Sequence, residues 1–316
     1  MVALKFGSAL AIGTVTVLGL SACGGSGSGG SADSSGGTVN VVASTNVYGD
    51  IAATIGGDAV EVTSVISSAS QDPHSYEADT RTQLAVSKAD VVIENGGGYD
   101  DFIDQMLEAS DSSPAVINAV DVSGLDSDSD AASDTGSDEH EHGEFNEHVW
   151  YDLESVQKVA TQIAADLGEA LPAKAAEFTA NAEAFNTELD AVIKLEDDAK
   201  DKYDGEGVAI TEPVPLYLLE HMGLENKTPE AFSEAVEEGN DISVSVLNDT
   251  LKIFSSGDVK AFVYNEQTTS TETEKLLAQA KTDQVPTVGV TETLPEGQDY
   301  VGWMKANVEA VTSALG

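Results

Sequence analysis

The sequence has almost no cysteine and few positive charges. Its 316 residues include one Cys, five His, and 14 Lys and Arg together. A single cysteine cannot form an internal disulfide, so the mature fold does not depend on one. With 56 acidic residues the formal net charge is −42, which argues against a nucleic-acid partner, because phosphate binding needs clustered Lys and Arg. The acidity raises the local concentration of cations but does not by itself create a metal site.

Residues 1–22 are expected to be a signal peptide. A weakly basic start is followed by an apolar run, 10–20, that is too short to span a bilayer, and small residues precede Cys23. The Leu-Ser-Ala-Cys string resembles a bacterial lipobox, which implies cleavage before Cys23 and acylation of its sulfur. A secretory signal with an incidental cysteine and a retained membrane anchor are the alternatives. Residues 23–37 are nearly all Gly and Ser after the cysteine, and we expect a flexible tether.

The chain from residue 38 onwards is long enough for two domains. Short β-rich runs alternate with helical ones over residues 38–171 and again over 205–316, which indicates two α/β lobes with parallel sheets. Residues 172–204 between them are expected to form one helix, since 173–203 contain no Gly or Pro. At about 1.5 Å per residue it would be roughly 45 Å long and run along both lobes. The alternative is a long surface helix of one domain.

The face of this helix is marked by apolar side chains that recur every three or four residues. They are Phe178, Ala182, Phe185, Leu189, Val192 and Leu195. We expect them to pack against the lobes.

Two of the five histidines stand beside carboxylates in distinctive strings. His74 lies in Asp-Pro-His-Ser-Tyr-Glu, beyond the carboxyl end of the second predicted strand, where open α/β sheets place their ligand sites. His148 lies in His-Val-Trp-Tyr-Asp, just before a helix. Imidazole suits zinc and its neighbours, so both are candidate metal ligands.

Together the two strings resemble the histidine motifs of the zinc- and manganese-binding solute-binding proteins of ABC importers, and the resemblance covers nearly the whole chain after the tether. In that family a long helix is the rigid backbone between two lobes, and each lobe supplies two ligands to a metal site in the cleft. The resemblance therefore implies His74 and His148 as the ligands from the first lobe.

The ligands implied for the second lobe are both carboxylates. The third family position follows the first strand of that lobe, where this sequence has Glu212. The fourth follows the last strand, where Glu292 stands in place of the usual Asp. Asp283 and Glu266 are its nearest rivals, and a solvated acidic side chain is the alternative for either position. Two imidazoles and two carboxylates suit tetrahedral zinc, whereas bidentate carboxylates would admit manganese.

An acidic segment, 121–147, precedes the second motif. It is rich in Asp, Ser and Gly, which is typical of disorder, and it contains His140 and His142. Zinc-specific members of the family carry a loop rich in His and acidic residues here, which implies a weak collector of metal; a solvated insertion is the alternative. His221, near a predicted helix end, is expected to be structural.

The predicted function is capture of a divalent transition metal, zinc favoured over manganese, and its delivery to the membrane permease of an ABC importer. The protein is expected to be a monomer on the outer face of a bacterial membrane, anchored through Cys23. A zinc hydrolase is one alternative, but the sequence contains no His-Glu-x-x-His string and no Gly-x-Ser-x-Gly elbow. A surface adhesin is the other, and no sequence feature specifies a host ligand.

Overall fold

The computed structural model describes residues 37–68, 71, 76–126 and 145–316. The first lobe is a four-stranded parallel sheet in the order β2-β1-β3-β4. Its strands are β1 Val39–Thr45, β2 Val60–Ile66, β3 Val91–Glu94 and β4 Ala115–Asn118. Its helices are α1 Asn46–Gly56, α2 Thr80–Val86, α3 Phe102–Glu108, α4 Ala119–Ser123 and α5 Leu153–Ala170. Buried β-branched side chains on β1 and β3 explain why these segments form central strands.

The second lobe repeats the same strand order as β6-β5-β7-β8, again with parallel pairing. Its strands are β5 Gly207–Ile210, β6 Glu225–Asn226, β7 Val259–Asn265 and β8 Thr287–Val290. Its helices are α7 Leu216–His221, α8 Glu230–Glu237, α9 Val244–Ser256, α10 Thr271–Thr282 and α11 Tyr300–Leu315. The predicted fold class, two parallel-sheet α/β lobes joined by one long helix, is confirmed.

The joining helix, α6, spans Ala175–Tyr203 and follows a short 3₁₀ turn that begins at Pro172. The apolar face is buried as predicted as far as Val192, but Leu195 is only half-buried and Glu196 is buried instead. Apolar side chains spaced alternately three and four residues apart repeat every 3.5 residues on average, whereas a straight helix has 3.6 residues per turn. The buried face therefore shifts gradually along the helix, by one residue near its C-terminal end. One apolar core, which includes side chains of α6, continues from the first lobe into the second.

The strand order places a cleft at a defined point in each lobe. In both sheets the chain reverses its direction of winding between the first and third strands of the lobe, at β1/β3 and at β5/β7. Ligands of open α/β sheets bind in the crevice outside the carboxyl ends of the strands at such a point. The segments after these strand ends are therefore where a site is expected.

The structure describes only the two ends of the acidic segment 121–147, for which the sequence predicted disorder. Residues 119–123 form α4, whose first turn is capped by the Asn118 side chain accepting from the Asp121 backbone N–H, and Leu125 packs on the core. Within 121–126 the apolar side chains Val122 and Leu125 are half-buried against the core, although the composition of this segment is polar. Residues 127–144 lie outside the described residues.

Other sequence features also fall outside the described residues. They include the predicted signal peptide, Cys23 and nearly all of the tether. Helix α8, by contrast, is described but was not predicted from the sequence. Within the described residues, no helix is both long and apolar enough to cross a membrane.

Candidate metal centre

The ring of His148, in the first lobe, is held in an orientation suited to binding a metal. The ring is fully buried, and Nδ1 lies 2.8 Å from Oδ1 of Asn146, whose amide Nδ2 donates to the carbonyl of Pro213. The amide oxygen orients the ring so that Nδ1–H is the donor and Nε2 is left to bind a ligand. Tyr99 and Trp150 meet the ring edge-on, with centroids 5.8 and 5.0 Å away, and fix its plane.

Glu212 and Glu292 follow β5 and β8 at the carboxyl edge of the second sheet, and both are buried. The Glu292 carboxylate accepts from the side-chain amide of Asn265 at 2.6 Å and from the hydroxyl of Tyr99 at 3.2 Å. Gln267 Oε1 accepts from the backbone N–H of Glu292 at 2.7 Å and fixes the turn. Because parallel strands end at the same edge, residues after three strands of this lobe converge on one point.

The site lies in a cleft of about 910 Å³ between the lobes. Glu147, Glu212, Glu237 and Glu292 line it, and His148 Nε2 lies 3.2 Å from a carboxylate oxygen of Glu237. In the described part of the chain, no Lys or Arg side chain lines this cleft. Several carboxylates in a partly dehydrated space repel one another unless a cation or protons neutralise them.

This repulsion raises the affinity of the site for protons. Burial, followed by the charges of Glu237 and Glu292, raises the pKa of Glu212 to about 8. Burial by itself lowers the pKa of His148, but the carboxylates of Glu237, Glu147 and Glu292 outweigh it and raise that pKa to about 9. A dication can supply the positive charge that protons supply in its absence.

The second lobe contributes one more acidic residue than predicted. Glu237 is the last residue of α8, and with Glu147 and His148 it forms a group whose ligand atoms all lie within 4.8 Å of one another. The sequence analysis did not single out Glu237, because the same helix also carries Glu230 and Glu234. The available signal was spacing: Ser233 and Glu237 are four residues apart on the face that also buries Val236.

The structure separates three of the predicted ligands from the two rival acidic residues. His148, Glu212 and Glu292 are brought together. The rival Asp283 precedes β8, at the opposite edge of the sheet, and its carboxylate accepts from the Gln279 side chain. The rival Glu266 is exposed. Neither rival lines the cleft.

Of the remaining histidines, the structure describes only His221. His74, His140 and His142 lie outside the described residues. His221 contacts Asp152 and Glu196 at 3.7 and 3.8 Å, on the side of α6, in agreement with its expected structural role.

The two lobes are held against each other around the site. Tyr99 lies after a turn of three glycines, Gly96, Gly97 and Gly98, all with positive φ, and a side chain at Gly96 would collide with Asn118. This turn places the Tyr99 hydroxyl against Glu292 of the other lobe. The Tyr151 hydroxyl likewise donates to the carbonyl of Thr291 at 2.7 Å. These hydrogen bonds therefore join the two lobes beside the site.

Two parallel-sheet lobes, one connecting helix and an imidazole-and-carboxylate cleft are the features of a metal-binding substrate-binding protein. The chain belongs to the family described as the periplasmic component A of zinc-uptake complexes, ZnuA, whose profile matches residues 41–314. It is thus the extracytoplasmic metal-binding component of an ABC importer, and not an enzyme.

Curated relatives include the manganese ABC transporter substrate-binding lipoprotein ScaA of Streptococcus gordonii, which is 26% identical over 324 residues, covering 94% of this chain and 95% of the relative. The manganese-binding lipoprotein MntA of Halalkalibacterium halodurans is 31% identical over 167 residues, covering 53% of this chain and 51% of the relative.

Solved structures share the fold. The substrate-binding protein FpvC of Pseudomonas aeruginosa, solved with Mn²⁺, has a TM-score of 0.69 at 24% identity, covering 88% of this chain and 98% of that one. A manganese-bound periplasmic metal-binding protein of Candidatus Liberibacter asiaticus also has a TM-score of 0.69, at 16% identity, with 88% of this chain and 100% of that one covered.

Proposed function

We propose that this protein captures a divalent transition metal, with Zn²⁺ favoured over Mn²⁺, and delivers it to a membrane permease. The observation that carries the proposal is that a buried imidazole nitrogen of the first lobe meets buried carboxylates of the second. They share one cleft, and no Lys or Arg is found in its described lining. Carboxylates gathered in this way attract cations, and the imidazole nitrogen among them is a ligand for a transition metal.

The proposed ligands are His74 and His148 from the first lobe and Glu212 and Glu292 from the second. The orientation of His148 supports its role, since Nδ1 is engaged by Asn146 and Nε2 faces the carboxylates. The environment of Glu212 supports its own role as a ligand, because its buried Oε2 has no hydrogen-bond partner among the described residues. His74 enters through its motif alone.

Zinc is favoured by general coordination chemistry. Two imidazoles suit zinc, and a site of nitrogen and oxygen ligands generally binds zinc more tightly than manganese. Buried ligands in the cleft also match the few ligands and short bonds that zinc requires.

Manganese is the second candidate, supported by a separate observation. The described part of the cleft offers one imidazole against several carboxylates, and oxygen ligands suit Mn²⁺. Relatives of this chain carry manganese in their names. Delivery of manganese would then reflect metal supply together with this ligand composition.

The remaining parts of the proposal concern location and the segments outside the described residues. Relatives named as lipoproteins support a lipid anchor at Cys23, followed by the tether and the two lobes from residue 38. We further propose that His140 and His142 collect metal weakly near the cleft, and that the protein acts as a monomer.

The test is the metal content of protein purified without added metal, paired with competitive titration of zinc against manganese. One tight metal per chain is expected, with zinc displacing manganese. Absence of tight binding of either ion would contradict the proposal. Deletion of the gene should abolish growth on limiting metal, an effect that a pure adhesin would not produce.

A further inference from the structure

The carboxylate of Glu237 lies close to Nε2 of His148, the nitrogen proposed to bind the metal. Its Oε1 lies 3.2 Å from His148 Nε2, and only 12% of its side chain is exposed. Its helix, α8, belongs to the second lobe, whereas His148 belongs to the first. The contact therefore spans the cleft where the cargo metal is proposed to sit.

The distance fits two ligands of one ion. With metal–ligand bonds of about 2.1 Å, neighbouring ligand atoms are separated by about 3.0 Å in an octahedral site and about 3.4 Å in a tetrahedral one. The observed 3.2 Å falls between these values. A simple ion pair accounts for the distance equally well, so the direction of approach matters.

The direction favours a shared ion. His148 Nε2 has no partner that satisfies hydrogen-bond geometry among the described residues, although Oε1 is only 3.2 Å away. The oxygen therefore lies off the axis of the ring nitrogen. Two ligands of one ion take this arrangement, because each is directed at the ion and not at the other ligand. With bonds of about 2.1 Å, the direction from the ring nitrogen to the second ligand atom makes an angle of roughly 35–45° with its direction to the ion.

The placement of Glu237 favours the binding of a cation. As the last residue of α8 it lies at the negative end of the helix dipole, and it shares the cleft with Glu212 and Glu292. A second observation at the same site is the buried Oε2 of Glu212, which has no hydrogen-bond partner among the described residues and is therefore available to a ligand.

We propose that Glu237 is a further ligand of the cargo metal, supplied by α8. This inference rests on the proposed function and adds to it a third carboxylate from the second lobe. Such a ligand makes the site richer in oxygen, which matters more for Mn²⁺, with its preference for oxygen ligands, than for Zn²⁺. Removal of this carboxylate should therefore weaken manganese binding more than zinc binding.

The experiment compares Glu237→Gln with Glu238→Gln by competitive calorimetric titration of Zn²⁺ and of Mn²⁺. The control removes an equal charge from the next residue, which also lines the cleft but is exposed and belongs to no group of clustered ligand atoms among the described residues. We expect Glu237→Gln to weaken Mn²⁺ binding by about 10- to 100-fold and Zn²⁺ binding by less. The Glu238→Gln protein should stay within about twofold of the wild type.

The other outcomes are distinct. Equal affinities in Glu237→Gln, Glu238→Gln and wild type would overturn the inference and leave the proposed function standing. Tighter binding in Glu237→Gln would also overturn it, since the carboxylate would then compete with the metal for His148. If the wild-type protein binds neither ion, it is the proposed function that fails.

A second measurement does not depend on how the variant folds. In a crystal structure of wild-type protein loaded with Mn²⁺, a Glu237 oxygen should lie about 2.0–2.3 Å from the ion. A Glu237 carboxylate that remains further than about 3 Å from the bound ion would overturn the inference directly.

Discussion

Asn46 and Leu294 form two reciprocal hydrogen bonds that join the lobes. The Asn46 side-chain amide donates to the carbonyl of Leu294 at 2.8 Å, and the Leu294 backbone N–H donates to Asn46 Oδ1 at 3.0 Å. Asn46 begins α1 of the first lobe, and Leu294 lies two residues beyond Glu292. The pair therefore ties the turn that carries a proposed ligand to the opposite lobe.

Replacement of Asn46 by Ala should loosen this tie. Both hydrogen bonds are lost and two backbone groups of Leu294 are left to water, so we expect a loss of about 1–3 kcal/mol in the free energy of unfolding. Metal affinity should fall as well, because the Glu292 turn is less firmly held. Asn248→Ala, an exposed residue of α9, serves as the control and should change stability by less than about 0.5 kcal/mol. Equal effects of the two substitutions in urea unfolding would refute the assigned role.

Single alanine variants should rank the proposed ligands. His74→Ala and His148→Ala are expected to weaken metal binding most, because nitrogen ligands are scarce in this chain and carboxylates are plentiful. Glu212→Ala should also weaken it strongly, and Glu292→Ala least, since a water or a neighbouring carboxylate can replace it. Isothermal titration measures the four affinities, with His221→Ala as the control. Wild-type affinity in the His148 variant would remove the basis of the assignment.

The pH dependence of the metal-free protein follows from the raised pKa values. His148 has a folded pKa of about 9 against about 6.5 unfolded, so its stabilising contribution is full below pH 6.5 and is lost as the pH rises through 9. Glu212, with a folded pKa of about 8, loses its contribution between its unfolded value near 4.5 and pH 8. Thermal unfolding in chelator should therefore show falling stability from pH 6 to pH 9, by less in a His148→Gln variant.

Metal binding should reverse this trend. Protons and metal compete for the same atoms, so affinity is expected to rise as the pH increases from 6 to 8, with protons released on binding at pH 7. Calorimetry in buffers of different ionisation enthalpy counts these protons. Release of none would contradict the proposed protonation of His148 and Glu212.

A buried carboxylate on α6 predicts a structural effect of His221. Glu196 is 1% exposed, and His221 contacts both it and Asp152. The interaction with Glu196 raises the pKa of His221, although burial opposes it. His221→Leu should destabilise the protein by about 1–3 kcal/mol, because the buried carboxylate loses its partner.

The control for this prediction is the neighbouring Glu220→Gln, an exposed position that should leave the free energy of unfolding nearly unchanged. Metal affinity at pH 7 should remain within about twofold in both variants. A large loss of affinity in His221→Leu would show that this histidine acts on the site and not only on the fold.

The sequence alone determined the elements and the class of the fold. The two parallel-sheet lobes were predicted, and the long helix was predicted to within a few residues of α6, because alternation and helical periodicity are local properties of a chain. The motif around His148 likewise identified a ligand candidate that the structure buries and orients.

Only the tertiary structure decided which carboxylates share the cleft. Glu292, Glu266 and Asp283 look alike in an acidic sequence, and the direction of β8 separates them, since Glu292 follows that strand and Asp283 precedes it. Glu237 was missed because α8 was not predicted, so the spacing that places Glu237 on the same face as the buried Ser233 could not be used. Its approach to His148 depends on how α8 packs and on how the two lobes meet, and those long-range contacts are not encoded in the residues beside it.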